Sequence, residues 1–149
     1  MDEAEWLYLR RIYEPHDNSV CVVVEEAVTG RASDQELPGI VGIIAKAAPI
    51  IGTRRVFELS WTRYVAYLVT EEMQGSTGDY KDEAFTGRRF REYSRSHFLT
   101  HLRRDTGCTE GIPRHFRLCC LNHIIDVAAH MPPELRILDP DSLSKQQPN

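Results

Sequence analysis

The stretch Val56–Glu72, VFELSWTRYVAYLVTEE, is the longest run of strand-type residues in the chain, and its reading decides the rest. Phe57, Leu59, Trp61, Val65, Tyr67 and Val69 fall on one side of a period-two strand, and Arg63 alone interrupts them. A long core strand with one wet face is therefore expected. It organises a sheet but carries no reaction signature.

Upstream, Glu5–Glu14 and the β-branched segment Ser19–Val28 flank the turn cluster Pro15-His16-Asp17-Asn18, which predicts a hairpin over Glu5–Val28. Thr29–Thr53 is punctuated by Gly30, Pro38, Gly39, Gly42, Pro49 and Gly52 and has none of the glycine spacings of a phosphate cradle. It reads as a connector pinned to the core by its isoleucines. Downstream, Gln74–Asp82 is a loop, and Glu83–Tyr93 alternates as a strand expected to pair antiparallel with the organising one. Its arginines suit a sheet edge.

Ser94–Thr106 is the best helix: Ser94 or Ser96 at its start, Phe98, Leu99 and Leu102 as an apolar stripe, Arg103 and Arg104 at its end. Arg114–His130 is apolar on both parities, as in a strand covered on both faces, with Asn122-His123 as the place where it bends or splits into two. Glu134–Leu138 adds a short edge, and residues 139–149 form a polar tail. The order of elements predicts an α+β fold over residues 1–138: an antiparallel sheet of about five strands with one main helix packed on it.

The chain has 149 residues, enough for one core that needs neither disulfides nor metal. Its apolar stretches are too short to span a bilayer, and the acidic start MDEAE lacks the plan of a secretion signal, so a cytoplasmic protein is expected. Cys21, Cys108, Cys119 and Cys120 are read as reduced and mostly buried. A net charge of −4 argues against nucleic acid as a partner. The charge is segregated. Glu71, Glu72, Asp79, Asp82 and Glu83 stand against Lys81 in one segment, and Arg88, Arg89, Arg91, Arg95, Arg103 and Arg104 against Glu92 in the next.

Three constellations are candidates for chemistry. His97 and His101 lie four apart on the helix, the spacing of two metal ligands, although no His-Glu-x-x-His accompanies them. His123 and Asp126 interrupt an apolar segment where a general base and its orienting carboxylate would sit; the commoner role of such groups is to anchor backbone. Arg88, Arg89 and Arg91, with Phe90 nearby, are candidates for an anion site. None brings a recognisable enzyme motif, so the sequence favours a non-enzymatic module over a small hydrolase or metal enzyme, with no cofactor implied.

The segments FELSWTRYVAYLVTEE, REYSRSHFLTHL and RHFRLCCLNHIIDVAAHMPPELRIL, within Phe57–Leu138, resemble a pattern of small uncharacterised bacterial proteins that are similar to toxin-immunity proteins. The resemblance consists of aromatic and apolar spacing and carries no functional residue across. It implies a small, cytosolic, cofactor-free protein that binds another protein, such as a basic toxin. The acidic Glu71, Glu72, Asp79, Asp82 and Glu83 are then the expected contact surface. A structural homodimer formed through an exposed sheet edge is the other binding reading.

Overall fold

Thr62 and Arg63, in the middle of the organising stretch, are exposed and form a bend, so the stretch is two strands rather than one. The structure, a computed structural model, describes residues 1, 3–29, 49–50, 55–72, 80–106 and 111–140. Within them the order is β1 (Trp6–Tyr13), β2 (Val20–Thr29), β3 (Pro49–Ile50), β4 (Val56–Trp61), β5 (Tyr64–Glu71), β6 (Ala84–Thr86), β7 (Phe90–Arg95), α1 (His97–Thr106), β8 (Arg114–Cys119), β9 (His123–Ala129) and β10 (Glu134–Leu138).

The strands form two five-stranded antiparallel sheets. One has the order β1-β2-β4-β10, with β3 on the end of β2; the other runs β5-β9-β8-β7-β6. The expected α+β fold with a single sheet is thereby corrected to a mainly-β fold with one helix among the described residues. The reason is local. Cutting the organising stretch at Thr62-Arg63 sends its halves into different sheets, β4 beside β2 and β5 beside β9. The expected pairing of Val56–Glu72 with Glu83–Tyr93 does not form. That second segment is itself a hairpin, because Gly87 adopts φ 88°, a conformation open to glycine that ends β6 and lets β7 return against it.

Other expectations stand. β1 and β2 pair as the predicted hairpin, turning through Asn18 at φ 59°, which asparagine tolerates. The segment Arg114–His130 splits at Asn122 into β8 and β9, and β10 lies at the edge of the first sheet. Ser96 caps α1: its Oγ accepts from Leu99 N at 3.1 Å, and Leu99 and Leu102 press on Ala128 of β9. Most of Thr29–Thr53, most of the 74–82 loop, Cys108 and residues 141–149 lie outside the described residues.

Both sheets turn apolar faces to one core. Leu7, Val20, Val22, Val24, Phe57, Leu59 and Trp61 come from the first sheet, and Phe116, Leu118, Ile125, Val127 and Ala129 from the second. Asn122 ties the sheets together. The Leu9 peptide, two residues on from Leu7, whose O accepts from Leu121 N at 2.8 Å, points to the outer edge of β1 and needs a partner beyond β2. The Asn122 amide supplies one, accepting from Leu9 N at 2.9 Å and donating to Leu9 O at 3.1 Å. This is the backbone anchoring expected of a polar residue in an apolar segment. No helix among the described residues is long and apolar enough to cross a membrane.

Candidate functional site

The side chains of β8 and β9 alternate between the core and the outer face of the second sheet. Phe116, Leu118, Ile125 and Val127 point inward, so His115, Arg117, Cys119 and Asp126 point outward. Arg117 stands directly opposite Asp126 in the register, and His115 stands opposite Ala128, one diagonal step away.

Asp126 is 3% exposed and His115 is fully buried. One carboxylate oxygen, Oδ1, accepts from His115 Nε2 at 2.7 Å and from Arg117 Nε at 2.6 Å, while Oδ2 accepts from Arg117 Nη2 at 3.3 Å. Burial pushes the Asp126 carboxyl upward, but the hydrogen bonds from His115 and Arg117 outweigh it and hold the group below the usual carboxylate range. An ionised carboxylate only accepts, so Nε2 of His115 carries the proton. The ring stacks on Tyr93 at 4.4 Å and meets Phe98 of α1 at 4.9 Å, and its Nδ1 has no hydrogen-bond partner among the described residues. This cluster is closed over by α1 and β7. It fixes the Arg117 guanidinium by two of its nitrogens.

Arg117 also reaches the wall of a cavity of 130 Å³. Arg91, its cross-strand neighbour on β7, and Arg89, from the turn before β7, line the same space with Glu72, Trp6 and Cys119. Arg89 lies 3.9 Å over the Trp6 ring, donates through Nη2 to Glu5 O, and accepts from Cys119 N through its carbonyl at 2.9 Å. These contacts seat it against the edge of β1. Arg91 lies 4.3 Å over Phe85, which in turn packs on Tyr93. The walls are thus held by aromatic stacking and by the buried Asp126.

The local field is positive. Burial, together with Arg88 and Arg91, draws the Arg89 guanidinium below its ordinary range. At Cys119 burial pushes the thiol up, against the downward pull of Arg91, Arg117 and Arg89. The thiol stays protonated, and three guanidinium groups act on it.

The acidic set is dispersed. Glu71 is exposed at the end of β5, opposite His123 in the register, and Glu72 faces the arginine cavity. Asp79 lies outside the described residues. Glu83 accepts from His97 N at 2.8 Å, and Asp82 lies 3.0 Å from His97 Nε2, so both serve the N-terminus of α1. Of the arginines, Arg89 and Arg91 meet at the cavity, whereas Arg88 is exposed on the turn.

His97 contacts Asp82 and His101 contacts Asp105 at 3.2 Å, each with its own carboxylate. Among the described residues no group of three His, Cys, Asp or Glu side chains is placed to hold a metal ion. His123 and Asp126 do not meet: three residues apart on a strand, they project from opposite faces. Asp126 takes His115 instead, across eleven residues of sequence. The signal for His115 and Arg117 is present in the sequence as polar residues alternating with Phe116 and Leu118.

No family model, curated protein or solved structure matches the chain. The functional reading rests on this geometry alone.

Proposed function

We propose that the protein is a non-enzymatic binding module that takes an oxyanion in the cavity between β1, β7 and β8. One observation carries the proposal: among the described residues, Arg89, Arg91 and Arg117 share a 130 Å³ cavity with a single carboxylate, Glu72, on its wall. Guanidinium groups bind carboxylate and phosphate through paired, charge-assisted hydrogen bonds, and they do so best when already held in place. Arg117 is held by Asp126 and Arg89 by Trp6 and Glu5. The half-buried Cys119 thiol, whose pKa is pushed up by its surroundings, is a poor nucleophile, which supports binding over reaction.

The reading keeps a protein as partner, one that presents an acidic or phosphorylated side chain. Within the toxin-immunity resemblance, it puts an acidic patch of the partner at the arginines rather than a basic patch at Glu71, Glu72, Asp79, Asp82 and Glu83. Titration calorimetry with inorganic phosphate and with a phosphorylated peptide tests it. Saturable binding is expected, weakened about tenfold or more in Arg91→Gln, whose side chain is half-exposed and lies over Phe85. Binding of both ligands assigns the site to the phosphate group itself, and binding of the peptide alone assigns it to a protein partner. No heat with either ligand, or heat unchanged in Arg91→Gln, overturns the proposal.

A further inference from the structure

β10 pairs with β4 on one side only among the described residues, and its free edge is apolar where edge strands are usually guarded. Leu135 and Ile137 stand opposite Leu59 and Phe57 in the register, so they belong to the face that forms the core. Yet they are 49% and 66% exposed, and Met131 before the strand is 70% exposed. The charged residues, Glu134 and Arg136, lie on the opposite face and bind each other at 2.9 Å. No inward-pointing charge protects this edge.

We propose that β10 pairs antiparallel with β10 of a second copy of this chain, with Leu135 opposite Leu135. The spacing of the charges selects both the occupant and the register. A two-fold axis perpendicular to the sheet keeps each residue opposite one of the same face. Five registers then centre on a residue of the strand, from Glu134 to Leu138. Centring on Glu134 or on Arg136 sets like charges directly opposite, which is unfavourable, and centring on Ile137 or Leu138 sets no charge of the strand opposite another. Centring on Leu135 sets Glu134 of each copy opposite Arg136 of the other, twice by symmetry. The strand is thus complementary to itself in that alignment. Pairing extends β1-β2-β4-β10 into one sheet across both copies and covers Leu135 and Ile137. In this register Glu134–Arg136 of each copy pair and Ile137 falls opposite Pro133, a contact smaller than the roughly 800 Å² per partner of a standard interface, so the dimer forms reversibly.

Sedimentation velocity of the full chain over a range of concentrations tests the proposal, with Glu134→Arg and Arg136→Glu as the variants. Both altered side chains are exposed, and circular dichroism confirms that each variant folds. The wild type is expected to pass from monomer to dimer as concentration rises. Each single variant puts like charges opposite in its own dimer and is expected to associate about tenfold more weakly. An equimolar mixture of the two is expected to recover association, because the arginines of one variant then face the glutamates of the other at both positions. Loss of the contact within one chain has no such remedy. A wild type that stays monomeric, a dimer indifferent to both substitutions, or a mixture that fails to recover association each overturns the assignment.

Discussion

On one face of the β8–β9 hairpin Phe116, Leu118, Ile125 and Val127 pack into an apolar core; on the other, His115, Arg117 and Asp126 form a hydrogen-bonded cluster, its histidine and carboxylate equally shut off from water. The backbone is the same and the burial is similar. What differs is how each face tolerates loss. Apolar packing is divisible, since removing a side chain removes its share of burial and leaves a cavity. A buried ionic cluster is not divisible: removing one member strands the charge of the others. The second face therefore holds Arg117 in a fixed position for the cavity beside it, at the expense of tolerance.

Asp126→Ala breaks the comparison most severely. Leaving Arg117 and His115 without their acceptor is expected to lower stability by about 3–5 kcal/mol, read from urea denaturation. Replacing His115, Arg117 and Asp126 together by apolar residues of matched volume is expected to restore stability to near wild type or above it, while anion binding is lost. A triple variant as unstable as Asp126→Ala would show that the cluster's hydrogen bonds, and not the stranded charge, govern this face. Leu118→Ala, next in sequence to Arg117 but facing the core, is expected to lose about 2–5 kcal/mol. It is expected to leave phosphate affinity unchanged, which separates the roles of the two faces in one pair of neighbours.

Asn122→Ala removes both hydrogen bonds to the Leu9 peptide, and a loss of about 1–3 kcal/mol is expected in the same denaturation assay. Ser96→Ala, which uncaps α1 over the polar cluster, is expected to cost about 1 kcal/mol. The finest test is pH. Because the Asp126 carboxyl is held below its ordinary value, its contribution is present above the unfolded value of about 3.9 and is lost as pH falls through the depressed folded value. The wild type is thus expected to lose stability below about pH 4 more steeply than the apolar triple variant. Parallel curves for the two proteins would remove Asp126 as the acid-sensitive group.

Much of the local structure is legible in the residues. The turn cluster Pro15–Asn18, the Ser96 cap with its Leu99 and Leu102 stripe, the break at Asn122 and the edge strand Glu134–Leu138 each carry their own chemistry within a few positions. The split at Thr62-Arg63 is not legible, since neither residue is a glycine or proline and the alternation resumes beyond them with aromatic residues. Read as one strand, the stretch makes Arg63 an interruption when it is the corner. That single difference turns two sheets into one. At the site, Arg89 and Arg91 stand out as neighbours in sequence, whereas their third member, Arg117, joins only through the β7–β8 register.

The sequence alone determined the β1–β2 hairpin, the helix with its cap, the break between β8 and β9, the charge segregation and the arginine-rich β7, because these depend on propensity, capping and periodicity over short spans. Only the tertiary structure decided that Asp126 binds His115 rather than His123, since strand parity turns His123 to the core side and pairing with β8 brings His115 alongside. It likewise decided that Arg89, Arg91 and Arg117 meet around one cavity. Residues distant in sequence become neighbours through sheet register, and register is settled by which faces must be buried together.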